Sequence, residues 1–335
     1  MKSLIEKLVE IPVPSGYETQ IRAAIRMQVE PYADEIRVDN LGNLIVRRGE
    51  RSEGGLRIML SAHIDEIGVI VTHVDERGFL RFLPLGGVSP LSCLGGRVRF
   101  LNGVMGVIGM QRLNSSANAP TFEQLFIDTG ADKRQASVVG VGDVAVFDRP
   151  FLEMGPRWVA KAMDDRIGAA ILVEALRQLH QSEFSSPHEF CFVFSSQEEV
   201  GLRGATTAAF GVDPDLGLAV DVTAVGDTPQ GLAMDVALGK GPAIKIRDQR
   251  ILADPRVVDW MVKTAEKAGL PFQLEILKLG STDASAIQLT RAGVLAGCIS
   301  IPCRYIHTPS EMVDQRDVEN AVKLLVALLR NPLKI

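Results

Sequence analysis

Apolar residues change their spacing several times along this chain, and each change marks a different kind of element. At the start, Leu4 and Leu8 stand one helical turn apart, a Pro-Ser-Gly turn follows at Pro14 to Gly16, and the spacing predicts a second helix from about Glu18 to Val29. The period then shortens to two. The segment EIRVDNLGNLIVRRG alternates around an Asn-Leu-Gly turn as a hairpin would, and LRIMLSAHIDEIGVIVTHV opens with an apolar run that ends at His63 and Asp65. From about Gly68 to Val159 the runs are short and β-like (VIVTHV, GFLRFLPL, RVRFL, GVMGVIGM, DVAVF), separated by glycines, with no long helical pattern between them.

Helical spacing returns after that stretch. Ile167, Ile171, Leu172, Ala175, Leu176 and Leu179 share one face of a helix expected over Asp165 to Leu179. The apolar strand FCFVFSS then leads directly into Gln197, Glu198 and Glu199. DLGLAVDVT reads as a strand carrying Asp221 near its end, VVDWMVKTAEKAG as a helix closed by Gly269, and VLAGCISIP as a strand shortly before His307. Strands alternating with helices predict an α/β fold, a helix-flanked and mostly parallel sheet built from residues 1–67 and 160–335, with residues 68–159 inserted as a small β-barrel domain.

Length and charge narrow the function classes. A chain of 335 residues suits one large domain plus a smaller one. With 36 basic against 41 acidic residues and a net charge of -5, no Lys/Arg-rich tract offers itself to nucleic acid or a membrane surface. Glu6 and Glu10 interrupt what would have to be the apolar core of a leader, and no apolar run approaches the roughly 18 residues of a membrane span, so a cytoplasmic protein is expected. Cys93, Cys191, Cys298 and Cys303 form no Cys-x-x-Cys pair and read as inert thiols.

The candidate chemistry lies in scattered short motifs: His63 in SAHIDE, Asp164 in AMDDR, Glu199 in SQEEVG, Asp221 in AVDVT and His307 in RYIHTPSE. Each has a bland reading on its own: a satisfied core histidine, a helix N-cap, a solvated acid, a turn cap, a surface histidine. Together they are imidazole and carboxylate donors suited to a pair of divalent cations with one carboxylate shared, and the spare Glu198 is left for proton work. In His63-x-Asp65 an extended backbone points both side chains to one face, so Asp65 is read as the group that fixes the imidazole tautomer. Asp164 and Asp165 stand side by side ahead of a helix, one free to face metal while the other caps the helix or meets Arg166. The charges also balance, since three carboxylates and one hydroxide offset two divalent ions. His73, His180 and His188 are read as structural or solvated.

At these residues, and at PSGYE, DNLGN, SAHIDEIG, AMDDRIG, SSQEEVGLRGA, AVDVT, GSTDASAIQ and RYIHTPSEMVD, the chain resembles the tetrahedral aminopeptidases, a family of dinuclear metallopeptidases of glutamyl and deblocking type, some labelled cellulase M or endoglucanase. The resemblance implies a phosphorylase/hydrolase-like catalytic domain and a dimerisation role for the insertion, with dimers assembling into a hollow dodecamer. It implies that His63 and Asp221 hold one ion, Glu199 and His307 the other, with Asp164 between them, zinc or cobalt being the expected metal. Glu198 is then the general base that activates water, Asp65 the orienter, and short peptides the substrates, cut at their N-terminal residue. It also implies a cis peptide from Asp164 to Asp165. The chain departs from the family pattern at Val88 and Gly96, where tryptophan and glutamine stand in relatives.

Other readings make different demands. A metal-independent glycoside hydrolase needs two facing acids and leaves His63 and His307 unexplained. A carboxypeptidase or amide deacylase would use the same metals on another bond. A metal-stabilised scaffold would close its coordination shells and leave Glu198 idle.

Overall fold

The computed structural model describes residues 1–111 and 119–334. Four strands form the centre of its large sheet, Glu189–Ser195, Arg57–His63, Leu216–Thr223 and Leu295–Arg304, adjacent in that order and all parallel. Antiparallel partners extend both sides. The expected hairpin pairs Glu35–Val38 with Leu44–Arg48 at one edge, and Glu311–Asp314, Arg157–Ala160 and Leu152–Met154 continue the other. Helices cover both faces of this parallel centre, and a further parallel pair, Ala243–Arg247 with Gln273–Ile276, branches off it.

Period two in the central strands divides their side chains between two cores. Ile58, Leu60, Phe190, Phe192, Leu218 and Val220 face one layer, which holds the long helix Met163–Gln181 and the helices Lys2–Glu10 and Gln315–Arg330. Met59, Cys191, Val193 and Ala219 face the other, where Ala208, Ala209 and Ile287 come from the helices Arg203–Val212 and Asp283–Gln288. Both faces are apolar because both are covered. Truncating a side chain such as Phe192, fully buried in the first of these layers, is expected to cost about 3 to 5 kcal/mol.

The glycine-punctuated stretch closes into a six-stranded antiparallel barrel, ordered Gly68–Val74, Leu80–Leu85, Leu125–Asp128, Met105–Met110, Arg97–Phe100 and Val144–Phe147. Its interior is a separate core that includes Val69, Phe82, Phe100, Ile108 and Phe147. Leu125–Asp128 is the barrel strand that the alternation pattern does not reveal. The barrel leaves the sheet directly after the His63 strand, at Gly68, so whatever holds that junction also holds the end of the His63 strand. Glu66 does so from a buried position, accepting from Lys161 Nζ at 2.8 Å, from Arg166 at 3.4 Å and from the Val13 amide at 3.1 Å.

Candidate metal centre

His63, Glu198, Glu199 and Asp221 lie at the carboxyl edge of the parallel strands, where an open α/β sheet has a crevice rather than a packed face. His63 is the last residue of its strand and stands opposite Ser195, the last of the neighbouring one. Past Ser195 the chain turns through Gln197, whose φ is 55°, and presents Glu198 and Glu199 from a loop rather than from strand geometry. Asp221 lies on the next parallel strand, and its Oδ1 accepts the Val222 amide at 2.7 Å. Asp164 enters from the start of the long helix. His307 enters from a loop beyond Leu295–Arg304, with φ of 60°.

His63, His307 and Glu199 gather around Asp164. Its Oδ1 is 2.8 Å from His63 Nε2 and its Oδ2 is 3.4 Å from His307 Nε2, so one carboxylate separates the two imidazoles. Glu199 Oε2 is 3.2 Å from the same His307 nitrogen. Donor atoms of His63, Asp164 and Glu199 all lie within 4.8 Å of one another, and so do those of His63, Asp165 and Asp221. Glu198 stands just outside, its Oε2 4.0 Å from His63 Nε2. The peptide from Asp164 to Asp165 is cis, as the resemblance implies. Asp165 caps the helix, its Oδ1 accepting the Gly168 amide at 2.9 Å. Arg166 reaches Glu66 and the carbonyl of Leu8 instead of either aspartate.

A frame of polar contacts fixes the loop that carries the two glutamates. Asp65 Oδ1 accepts the Glu198 amide at 3.0 Å and Oδ2 the Glu199 amide at 3.2 Å, while Ser15 Oγ donates to Oδ2 at 2.6 Å. His63 Nδ1 is 3.2 Å from the Asp65 carbonyl oxygen and 3.5 Å from Oδ1, so Asp65 holds the glutamate loop at least as firmly as it holds the ring. Glu18 accepts the Gly16 and Gln197 amides, and Asn43 accepts the Ser196 amide, which gives PSGYE and DNLGN a structural task at this site. Glu311 is a residue that sequence reasoning passes over as a mere neighbour of His307. It is buried, and its two oxygens accept the backbone amides of Asp164 at 3.0 Å and His307 at 2.8 Å. No spacing signal could have found a contact between residues 147 positions apart.

Negative charge exceeds positive charge here. Burial pushes Glu198, Glu199, Asp221 and Glu311 above the usual carboxylate range, and neighbouring acids add to the rise. Burial alone would lower the imidazoles. Asp164 and Asp65 nevertheless raise His63 well above its ordinary value, and Glu199 with Asp164 pushes His307 up to about 12. Glu199 Oε1 and Asp165 Oδ2 are buried without a hydrogen-bond partner. Buried negative charge in this excess is stabilised by bound cations, and the mixed nitrogen and oxygen donors suit borderline divalent metals. The residues therefore fit a metal centre.

Against this geometry, residues 42–324 match the sequence model of the M42 glutamyl aminopeptidases. The chain belongs to that family. A relative in Acetivibrio thermocellus, named as an aminopeptidase, is 44% identical over 329 residues, with 97% of each chain covered. The structure of an aminopeptidase from the archaeon Desulfurococcus kamchatkensis superposes with a TM-score of 0.93 at 40% identity, covering 99% of this chain and 95% of that one. The TET1 peptidase of Pyrococcus horikoshii, which can assemble into a tetrahedron or a large octahedral shell, gives a TM-score of 0.87 at 33% identity, with 98% of both chains covered. As an M42 member the chain is a metal-dependent peptidase that removes N-terminal residues, and it takes divalent ions. Membership decides against the glycoside hydrolase and scaffold readings. Among the described residues, no helix is long and apolar enough to cross a membrane.

Proposed function

We propose that this aminopeptidase works with a pair of divalent ions, zinc or cobalt, held by His63 and Asp221 on one side and by Glu199 and His307 on the other, with Asp164 shared. The observation that carries this reading is the placement of the Asp164 carboxylate, one oxygen toward each imidazole. When bound, the ions supply the positive charge that polarises a scissile carbonyl and eases the deprotonation of water. Glu198 takes the proton of the attacking water through its carboxylate and delivers it to the leaving amine nitrogen. Its position supports that role, because it is close to the cluster without being engaged in it. Asp65 keeps Glu198 at that station through the amide it accepts. A cleft of about 500 Å³ runs from these groups past Leu202, Leu277 and the segment Gly280 to Thr282, long enough to seat a short peptide by its amino end.

In this reading residues 1–67 and 160–335 form the catalytic unit, joined in the large sheet by the strands Leu152–Met154 and Arg157–Ala160, and the barrel within residues 68–159 is the dimerisation unit of an assembly that reaches a dodecamer. Cytoplasmic residence belongs to the same proposal, consistent with four buried free thiols. Replacing Glu198 with Gln tests the assignment of the base. Turnover of an amino-acid anilide should fall by about 10²- to 10⁴-fold with metal content unchanged, and unaltered turnover would reject the role.

A further inference from the structure

Among the described residues, the turn after strand Leu80–Leu85 brings the barrel against the metal cluster. Gly86 and Gly87 lie there against two of the proposed ligands. A methyl group built on Gly87 would stand 2.6 Å from Cε1 of the His307 ring and closer still to Nδ1. One built on Gly86 would stand 2.9 Å from Glu199 Oε2 and 3.1 Å from its Cβ. Carbon atoms at such separations repel strongly, so a side chain at 87 and the present ring position exclude each other. The ring's opposite edge carries Nε2, which faces Asp164 and Glu199. On its backbone side the ring is fixed by the Glu311 contact to the His307 amide. The bare backbone at Gly87 bounds a further side of its seat.

We propose that the Gly86–Gly87 turn is a positioning element of the metal centre, by which the inserted barrel sets the His307 and Glu199 half of the site. The inference rests on the ligand assignment proposed above. It predicts that the larger effect falls on one ion, because the proposed ligands nearest to a Cβ at these glycines are Glu199 and His307. Gly87 is the cleaner probe. Gly86 has φ of +81°, so any residue there is strained irrespective of contacts, whereas Gly87 lies outside the left-handed region and Ala meets only the ring.

The experiment is zinc titration calorimetry on the full chain, stripped of metal, with Gly87→Ala beside the unaltered protein. One of two binding events should weaken by about 10- to 100-fold, the range seen when a group that orients a ligand is lost, while the other changes less. Melting of the metal-free proteins provides a second readout. The loss in Tm caused by Gly87→Ala should vanish when the ring is also removed by His307→Ala, since the obstructing atoms are then gone. Should Gly87→Ala fail to fold, the double variant should still fold. Equal zinc affinities in both proteins, a Tm loss independent of the His307 ring, or a double variant that also fails to fold would each overturn the inference. An unaltered protein that binds no zinc would instead sink the ligand assignment, and the melting comparison would still report on the contact.

Discussion

The two halves of the proposed metal site are built differently. His63 and Asp221 extend from neighbouring parallel strands, buried among residues that also form the two cores of the sheet. Glu199 and His307 come from loops, and the His307 side chain remains 36% exposed against 2% for His63. Strand ends inherit their rigidity from the sheet's hydrogen bonds. Loop ligands must be given theirs, here by Asp65, by Glu311 and by the glycine turn of the barrel. The contrast implies that one ion site is a product of the fold and the other a product of its added supports.

The largest test removes the shared element. Asp164→Ala should abolish zinc binding on both sides and with it peptide hydrolysis, measured by elemental analysis of dialysed protein beside an anilide assay. Retention of one tightly held ion would show that the halves are independent of this carboxylate. A chelator titration sharpens the comparison next. The ion at the exposed His307 half should leave first, with a second loss at higher chelator concentration, and simultaneous release would erase the distinction.

Smaller effects should come from the supports. Asp65→Asn places an amide donor against the Glu198 and Glu199 amides, and zinc affinity at the loop half should fall by about 10- to 100-fold. Glu311→Gln keeps one acceptor for two backbone amides and should sit at the lower end of that range, with kcat reduced alongside. If either variant weakens the His63 half more than the His307 half, the assignment of supports to loops is wrong.

How much of this is legible in the sequence follows the same division. His63 and Asp221 are visible because a strand pattern ends beside each, and the pattern says where the side chain must emerge. The acids after FCFVFSS are visible for the same reason, although the turn at Gln197 that carries both of them off the strand is not. Pattern reading leaves Gln315–Arg330 unassigned, even though Val318, Val322, Leu325 and Leu329 repeat at helical spacing and are buried in the main core. Glu311 and Gly87 are silent in the sequence. Their roles consist of contacts with a backbone amide and a ring from distant segments, which no local periodicity encodes. The barrel's strand at Leu125–Asp128 is hidden because Leu125, Phe126 and Ile127 run together without alternation.

The most direct measurement of the central claim is anomalous diffraction at the zinc absorption edge from crystals of the zinc-loaded protein. Two peaks should flank the Asp164 carboxylate, one beside His63 and Asp221 and the other beside His307 and Glu199. A single peak, or peaks that leave Asp164 uncoordinated, would contradict the account.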